Sequence, residues 1–150
     1  KNDKLFCECG FEARVDDCGF WHSEDMYFDD IVRWDKFQKS VLKELADKKK
    51  GTEELLFADT NQIIYTLENE NRVLQSDNGS VSLYGDRIEI ATENSTDSVP
   101  IENIKKIGIA AKMNLLIVTD KTYYEMHSKK NRSAIKYVVA LRYLQGKESY

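Results

Sequence analysis

The sequence predicts a mainly β chain with helices (α+β): a seven-stranded orthogonal sandwich or partly open barrel, capped by a C-terminal helix and preceded by a β-hairpin and a linking helix. Three observations carry this. Between residues 53 and 127, short apolar–polar alternations recur with turn residues between them, at the roughly eight-to-twelve-residue spacing of an all-β sandwich or barrel. After residue 131 the apolar period lengthens from two to three and four, the change from strand to helix. A second stripe of helical period precedes residue 51, and before it lies a short cysteine-bearing segment.

Residues 1–28 form the hairpin. Lys4-Leu5-Phe6-Cys7, Phe11-Glu12-Ala13-Arg14-Val15 and Phe20-Trp21 alternate, with a turn at Asp16-Asp17-Cys18-Gly19. So short a unit buries too little to be stable alone and needs a metal, a neighbour or further chain. Residues 29–50 form the linking helix. Asp29 or Asp30 can cap it, with acidic residues crowding the first turn. Ile31, Trp34, Phe37, Val41, Leu42 and Leu45 make one apolar stripe. Lys48-Lys49-Lys50 complements the negative end of the helix dipole, and Gly51 stops it.

Residues 53–146 form the β domain. Strands are expected at 55–58, 62–67, 72–74, 80–84 and 87–90, then along Ile104, Ile107 and Ile109, and at 115–118 and 123–126. Breaks fall at Ala58–Gln62, at Asn69-Glu70-Asn71, and at Asp77-Asn78-Gly79, a strong hairpin signal. Gly85-Asp86, the polar run Glu93–Ser98 and Asp120-Lys121 supply further turns. Asn131 or Ser133 caps the last helix, Ile135, Val138, Leu141 and Leu144 line it, and Gly146 ends it. Seven antiparallel strands and then one amphipathic helix resemble a pleckstrin-homology-like domain, in which the helix covers an otherwise open core.

The net charge of −4 argues against nucleic acid or an anionic membrane as the main partner. Residues 51–127 hold 6 Lys+Arg and 13 Asp+Glu, whereas residues 128–150 hold 6 and 1. A basic helix lying on an acidic sheet accounts for this, and peripheral membrane contact through that helix is the alternative. Three cysteines, all within the first twenty residues, do not make a secreted disulfide framework and point to a reducing cytoplasm. The chain opens at Lys1 inside a strand-like stretch, so further sequence is expected before it.

Cys7-Glu8-Cys9-Gly10 is half of a candidate metal site, one residue shorter than the usual Cys-x-x-Cys. Zinc is expected at Cys7 and Cys9 only if upstream cysteines complete the set. Cys18 sits on the far turn, and His22 and His127 have no evident catalytic partner. No phosphate-cradling glycine loop or nucleophile elbow is present. No catalytic or cofactor-binding residue is therefore assigned. A phosphoinositide site needs several cations at the first hairpin, and Ala58-Asp59-Thr60-Asn61-Gln62 offers none.

The ribbon residues Leu5-Phe6-Cys7-Glu8-Cys9-Gly10-Phe11-Glu12-Ala13, then Asp16-Asp17-Cys18-Gly19-Phe20 and the helix segment Trp34-Asp35-Lys36-Phe37-Gln38, resemble the C-terminal tail of bacterial 1-acyl-sn-glycerol-3-phosphate acyltransferase-like proteins. The resemblance covers residues 4–42. It implies a non-catalytic accessory region of a phospholipid-biosynthesis enzyme at the cytoplasmic face of the membrane, partnered with its own upstream catalytic domain or with another protein. The family's His-x-x-x-x-Asp motif is absent: the fifth residue after His22 is Tyr27, and after His127 it is Arg132. Two alternatives remain at this level: an interaction module of a regulatory protein with no enzyme attached, and a small metal-dependent enzyme using Asp and His around residues 22–30.

Overall fold

A computed structural model describes residues 4–6, 12–18, 21–23, 30–111, 113–129 and 133–147. The chain divides into two compact units, Lys1–Val41 and Leu42–Tyr150. In the first, β1 (Lys4–Phe6), β2 (Glu12–Val15) and β3 (Trp21–His22) form an antiparallel meander in that order. All three expected alternating segments thus contribute a strand, and His22 pairs opposite Arg14. The turn expected at residues 16–19 is held by Asp16, whose Oδ1 accepts the Cys18 N–H at 2.9 Å.

The helix α1 spans Ile31–Lys49. Asp30 caps it: its Oδ1 accepts the Arg33 N–H at 2.8 Å. The first turn itself holds no acid, so the acidic crowding expected there falls before the helix. The expected single apolar stripe is not buried as one face. Phe37 and Val41 are exposed, Leu42 and Leu45 are half-buried, and Ala46 is the residue that enters a core.

In the second unit, α1 ends at Gly51, where φ is +74°. The Gly51 N–H donates to the Gly85 carbonyl at 2.9 Å, and the Gly85 N–H donates to the Glu54 carbonyl at 3.1 Å. Two backbone bonds therefore pin the helix end to a turn of the sheet.

Two long strands follow, β4 (Leu55–Glu68) and β5 (Asn71–Tyr84), joined at Asn69-Glu70, both with positive φ. The hairpin expected at Asp77-Asn78-Gly79 does not exist, and Ala58–Gln62 is not a turn. Both lie inside continuous strands, where the register shifts between Thr60 and Gln62 and again near Ile64. Local turn chemistry misleads here because a bulge asks for the same residues as a turn, as Asn61 at φ 59° shows. Gly79 is glycine for space: a Cβ there would meet the Ile64 side chain and stand 2.6 Å from the Ala91 carbonyl oxygen.

The sheet continues with β6 (Arg87–Ala91) and β7 (Thr96–Pro100), which takes up much of the expected polar loop. A 3₁₀ turn at Ile101–Asn103 leads to β8 (Ile104–Ala110), β9 (Asn114–Thr119) and β10 (Tyr123–Ser128). Because β10 pairs back onto β4, the order is β7-β6-β5-β4-β10-β9-β8, all antiparallel. In a flat sheet β7 and β10 would be four strand spacings apart, about 19 Å. Instead the Tyr124 hydroxyl of β10 donates to Asp97 Oδ2 of β7 at 2.8 Å. The sheet is therefore curled around one core, which includes Ile64, Leu83, Ile88, Ile117 and Leu141, while among the described residues its end strands do not pair with each other.

The helix α2 (Ile135–Leu144) covers the core against β8 and β9. Ala134, not Ser133, occupies the N-cap and makes no side-chain cap bond; Asn131 lies outside the described residues. The expected stripe is also corrected. Ile135 is 50% exposed, while Tyr137 to Leu141 and Leu144 are buried. Positions three apart drift around a helix of 3.6 residues per turn, so Ile135 ends about half a turn from Leu144. At the other end, Gly146 (φ +72°) donates to the Tyr143 carbonyl and Lys147 to the Arg142 carbonyl, both at about 2.9 Å, a Schellman cap. Seven antiparallel strands, an unclosed sheet and a C-terminal helix make the unit pleckstrin-homology-like, as the element order predicts.

Candidate functional site

Cys7 and Cys9, the expected half-site, lie outside the described residues. Cys18 is exposed, and among the described residues no three metal-ligating side chains cluster. His22 Nε2 lies 2.8 Å from Asp16 Oδ2 in an exposed pair. His127 belongs to a polar group on the sheet: its Nε2 is 2.6 Å from Glu125 and 2.7 Å from Arg72. Arg72 also pairs with Glu125 Oε2 at 3.1 Å and stacks 3.6 Å over the Tyr65 ring. This group closes on itself, each charge answered by a neighbour.

The cations expected to define a membrane-facing helix are partly committed. Lys136 Nζ lies 2.7 Å from Asp59, a carboxylate buried at the bend of β4 that also accepts the Tyr137 hydroxyl at 3.1 Å. One cation of α2 thus meets one buried acid of β4, whereas β8 and β9, the strands α2 packs against, contain no acid. The true first hairpin of the domain is Glu68-Asn69-Glu70-Asn71, not Ala58–Gln62, and it too carries acids where a phosphoinositide site would need cations.

Two clefts remain. The larger, about 600 Å³, lies at the ends of α1 and α2 and is lined by Gly85, Ile101, Ile104 and Leu144 with Lys50 and Lys147 at its rim. Its backbone groups are engaged by the fold: Gly51 with Gly85, and the Gln145 amide with the Ile101 and Ile104 carbonyls at 3.2 and 2.9 Å. The smaller, about 400 Å³, is the seam of the curled sheet. It lies between β7, Asn103 and the β9–β10 turn at Thr119–Thr122, with Tyr124 on its floor. Among the described residues β7 has one strand partner, β6.

Both walls of the seam are stiff. In the β9–β10 turn the Thr119 N–H and hydroxyl donate to the Thr122 carbonyl at 2.9 and 3.0 Å, and Thr119 Oγ1 accepts the Thr122 N–H at 3.0 Å. The turn before β7 repeats the device: Thr92 Oγ1 accepts the Ser95 N–H at 3.0 Å. Across the seam, Tyr124 holds Asp97. Burial first, then the hydrogen bond to Asp97, pushes the Tyr124 hydroxyl well above its ordinary value of 10.0.

This gives a pH prediction. Above pH 10 the unfolded chain releases the Tyr124 proton while the folded chain keeps it, so the unfolded state binds fewer protons and stability falls as pH rises. One proton sets a limit of about 1.4 kcal/mol per pH unit. Tyr124→Phe is expected to reduce the alkaline slope by up to that amount in urea unfolding between about pH 10 and 11; an unchanged slope would contradict the burial of this hydroxyl.

Sequence reasoning did not identify the seam. Its one local signal was Pro100, a residue that sheets confine to edges and strand ends.

No family model matches the sequence, and neither does any curated protein. Solved structures similar to it include two PH domains. The Vps36 N-terminal PH domain has 16% identity over 62% of this chain and 80% of its own, with a TM-score of 0.48. The N-terminal PH domain of human ARAP2 has 15% identity over 59% and 80%, with a TM-score of 0.44.

Proposed function

We propose that this chain is a non-catalytic interaction module that binds a protein segment in the open seam of its sheet. The observation that carries the proposal is the cleft of about 400 Å³ bounded on one side by a strand with no outer partner among the described residues. Its volume lies within the usual range of ligand clefts, and its stiff walls lower the ordering cost of binding. The resemblance of residues 4–42 supports a finer form, in which the module is the accessory region of a phospholipid-biosynthesis acyltransferase at the cytoplasmic membrane face. A His-x-x-x-x-Asp motif in the coding sequence before Lys1 would support that form, and a reading frame that opens at the ribbon would overturn it.

The binding proposal is tested by panning random dodecapeptides on phage against the 150-residue chain and mapping winners by amide chemical shifts. Enriched peptides that move the resonances of residues 96–100 and 119–124 are expected. No enrichment, with salt-sensitive flotation on phosphatidate vesicles instead, would replace the seam with a membrane-docking surface.

A further inference from the structure

The two free edges of this sheet are protected differently. β8 carries the exposed Lys105 and Lys106, shifts register against β9 between Ile104 and Lys106, and packs against α2. Lysines, bulges and a covering helix are the usual means of keeping an edge from accepting another strand. β7 has none of these three, and its protection is limited to the proline at its end, Pro100. The strand contains no Lys or Arg, runs in unbroken register against β6, and leaves Thr96, Asp97 and Ser98 exposed.

The direction of its backbone groups follows from the two ends of the β6–β7 pair. The Thr92 N–H donates to the Ser95 carbonyl at 2.8 Å, and the Ile101 N–H donates to the Asp86 carbonyl at 2.9 Å. Antiparallel strands alternate hydrogen-bonded and non-bonded pairs. With Ile90 opposite Asp97 and Ile88 opposite Val99, these two are then the bonded pairs. The N–H and C=O groups of Thr96 and Ser98 point outward, toward the seam. So does Pro100, whose missing N–H falls where β6 does not need one.

We propose, building on the interaction function above, that β7 takes up an extended peptide as an additional strand, and that the peptide carries Lys or Arg opposite Asp97. Strand addition draws its affinity from main-chain bonds and its specificity from alternate side chains. Asp97 accepts one hydrogen bond from Tyr124, and a carboxylate has capacity for more. On the far wall Asp120 is 72% exposed, shares Lys105 at 3.0 Å and is followed by Lys121, so the charge on the β7 side of the seam is Asp97. Residues 51–127 carry 6 basic against 13 acidic side chains. A second copy of the chain paired so that Asp97 faced Asp97 would set like charges opposite each other, which is destabilising. The charge therefore selects a cationic partner segment.

The test uses the seam-binding dodecapeptides and fluorescence anisotropy. Ser98→Pro removes an outward N–H and leaves the bonds to β6 intact, so binding is expected to weaken about tenfold. Asp97→Asn keeps the Tyr124 bond and should weaken Lys- or Arg-bearing peptides about threefold. With the unaltered protein, N-methylation of every second peptide amide should abolish binding in one phase and spare it in the other. Peptides that bind the seam but tolerate Ser98→Pro and both methylation phases would overturn strand addition while leaving the interaction function standing. A library that yields no seam binder would remove both.

Discussion

Gly85→Ala is expected to destabilise the chain by about 3 kcal/mol or more. A Cβ at this position would land on the Lys49 carbonyl oxygen, 2.7 Å from the Lys49 carbonyl carbon and 2.8 Å from the Thr52 carbonyl oxygen. All three atoms are backbone, so no side chain can swing aside. Overpacking costs about 1–3 kcal/mol, and the two backbone bonds through Gly85 add about 1 kcal/mol each if the helix end moves away. Gly108→Ala is the matched control, because nothing lies within 4 Å of its added methyl. Thermal unfolding of the two variants should differ by about 4 °C or more per kcal/mol for a domain of this size. Equal midpoints would mean that the end of α1 is not pinned to the β5–β6 turn.

Leu141→Ala should cost about 2–5 kcal/mol. Leu141 is fully buried on α2 and belongs to the same core as Leu83, Ile88 and Ile117 from the curled sheet. Truncation leaves a cavity lined by strands whose positions are fixed by the sheet, so collapse around it is limited. Ile135→Ala, in the same helix and in the same apparent stripe, should stay within about 0.5 kcal/mol, since Ile135 is half exposed. Urea unfolding measures the contrast. Similar losses for the two would show that α2 is rotated from the face described.

The residues that the sequence placed correctly share one property: their signal is carried by near neighbours. Asp30 caps α1 because its side chain reaches an N–H three residues ahead. Gly51 and Gly146 end helices because only a positive φ lets the chain turn there. Asn69-Glu70 reverses the chain within two residues. The misreadings share the opposite property. Asp77-Asn78-Gly79 has hairpin chemistry, yet it lies within β5 because β4 stays paired with β5 on both sides of it. Gly85 sits in a turn as expected, but the need for glycine comes from the Lys49 carbonyl, thirty-six positions earlier in the chain. The seam was invisible for the same reason: Asp97 and Tyr124 are distant in sequence and four strands apart in the sheet.

Apart from dividing β4 and β5 at their bulges and reading the start of β7 as a loop, the sequence by itself determined which segments are extended, which are helical, and that a run of strands would precede one closing helix. These follow from side-chain period and from residues that govern φ within a few positions. Only the tertiary structure decided that β10 returns to β4, that the sheet curls until Tyr124 meets Asp97, and that β7 is left as its less protected edge. Those outcomes depend on pairing free energies between segments far apart in the chain, where register, bulges and the cover supplied by α2 compete, and no local pattern records the result.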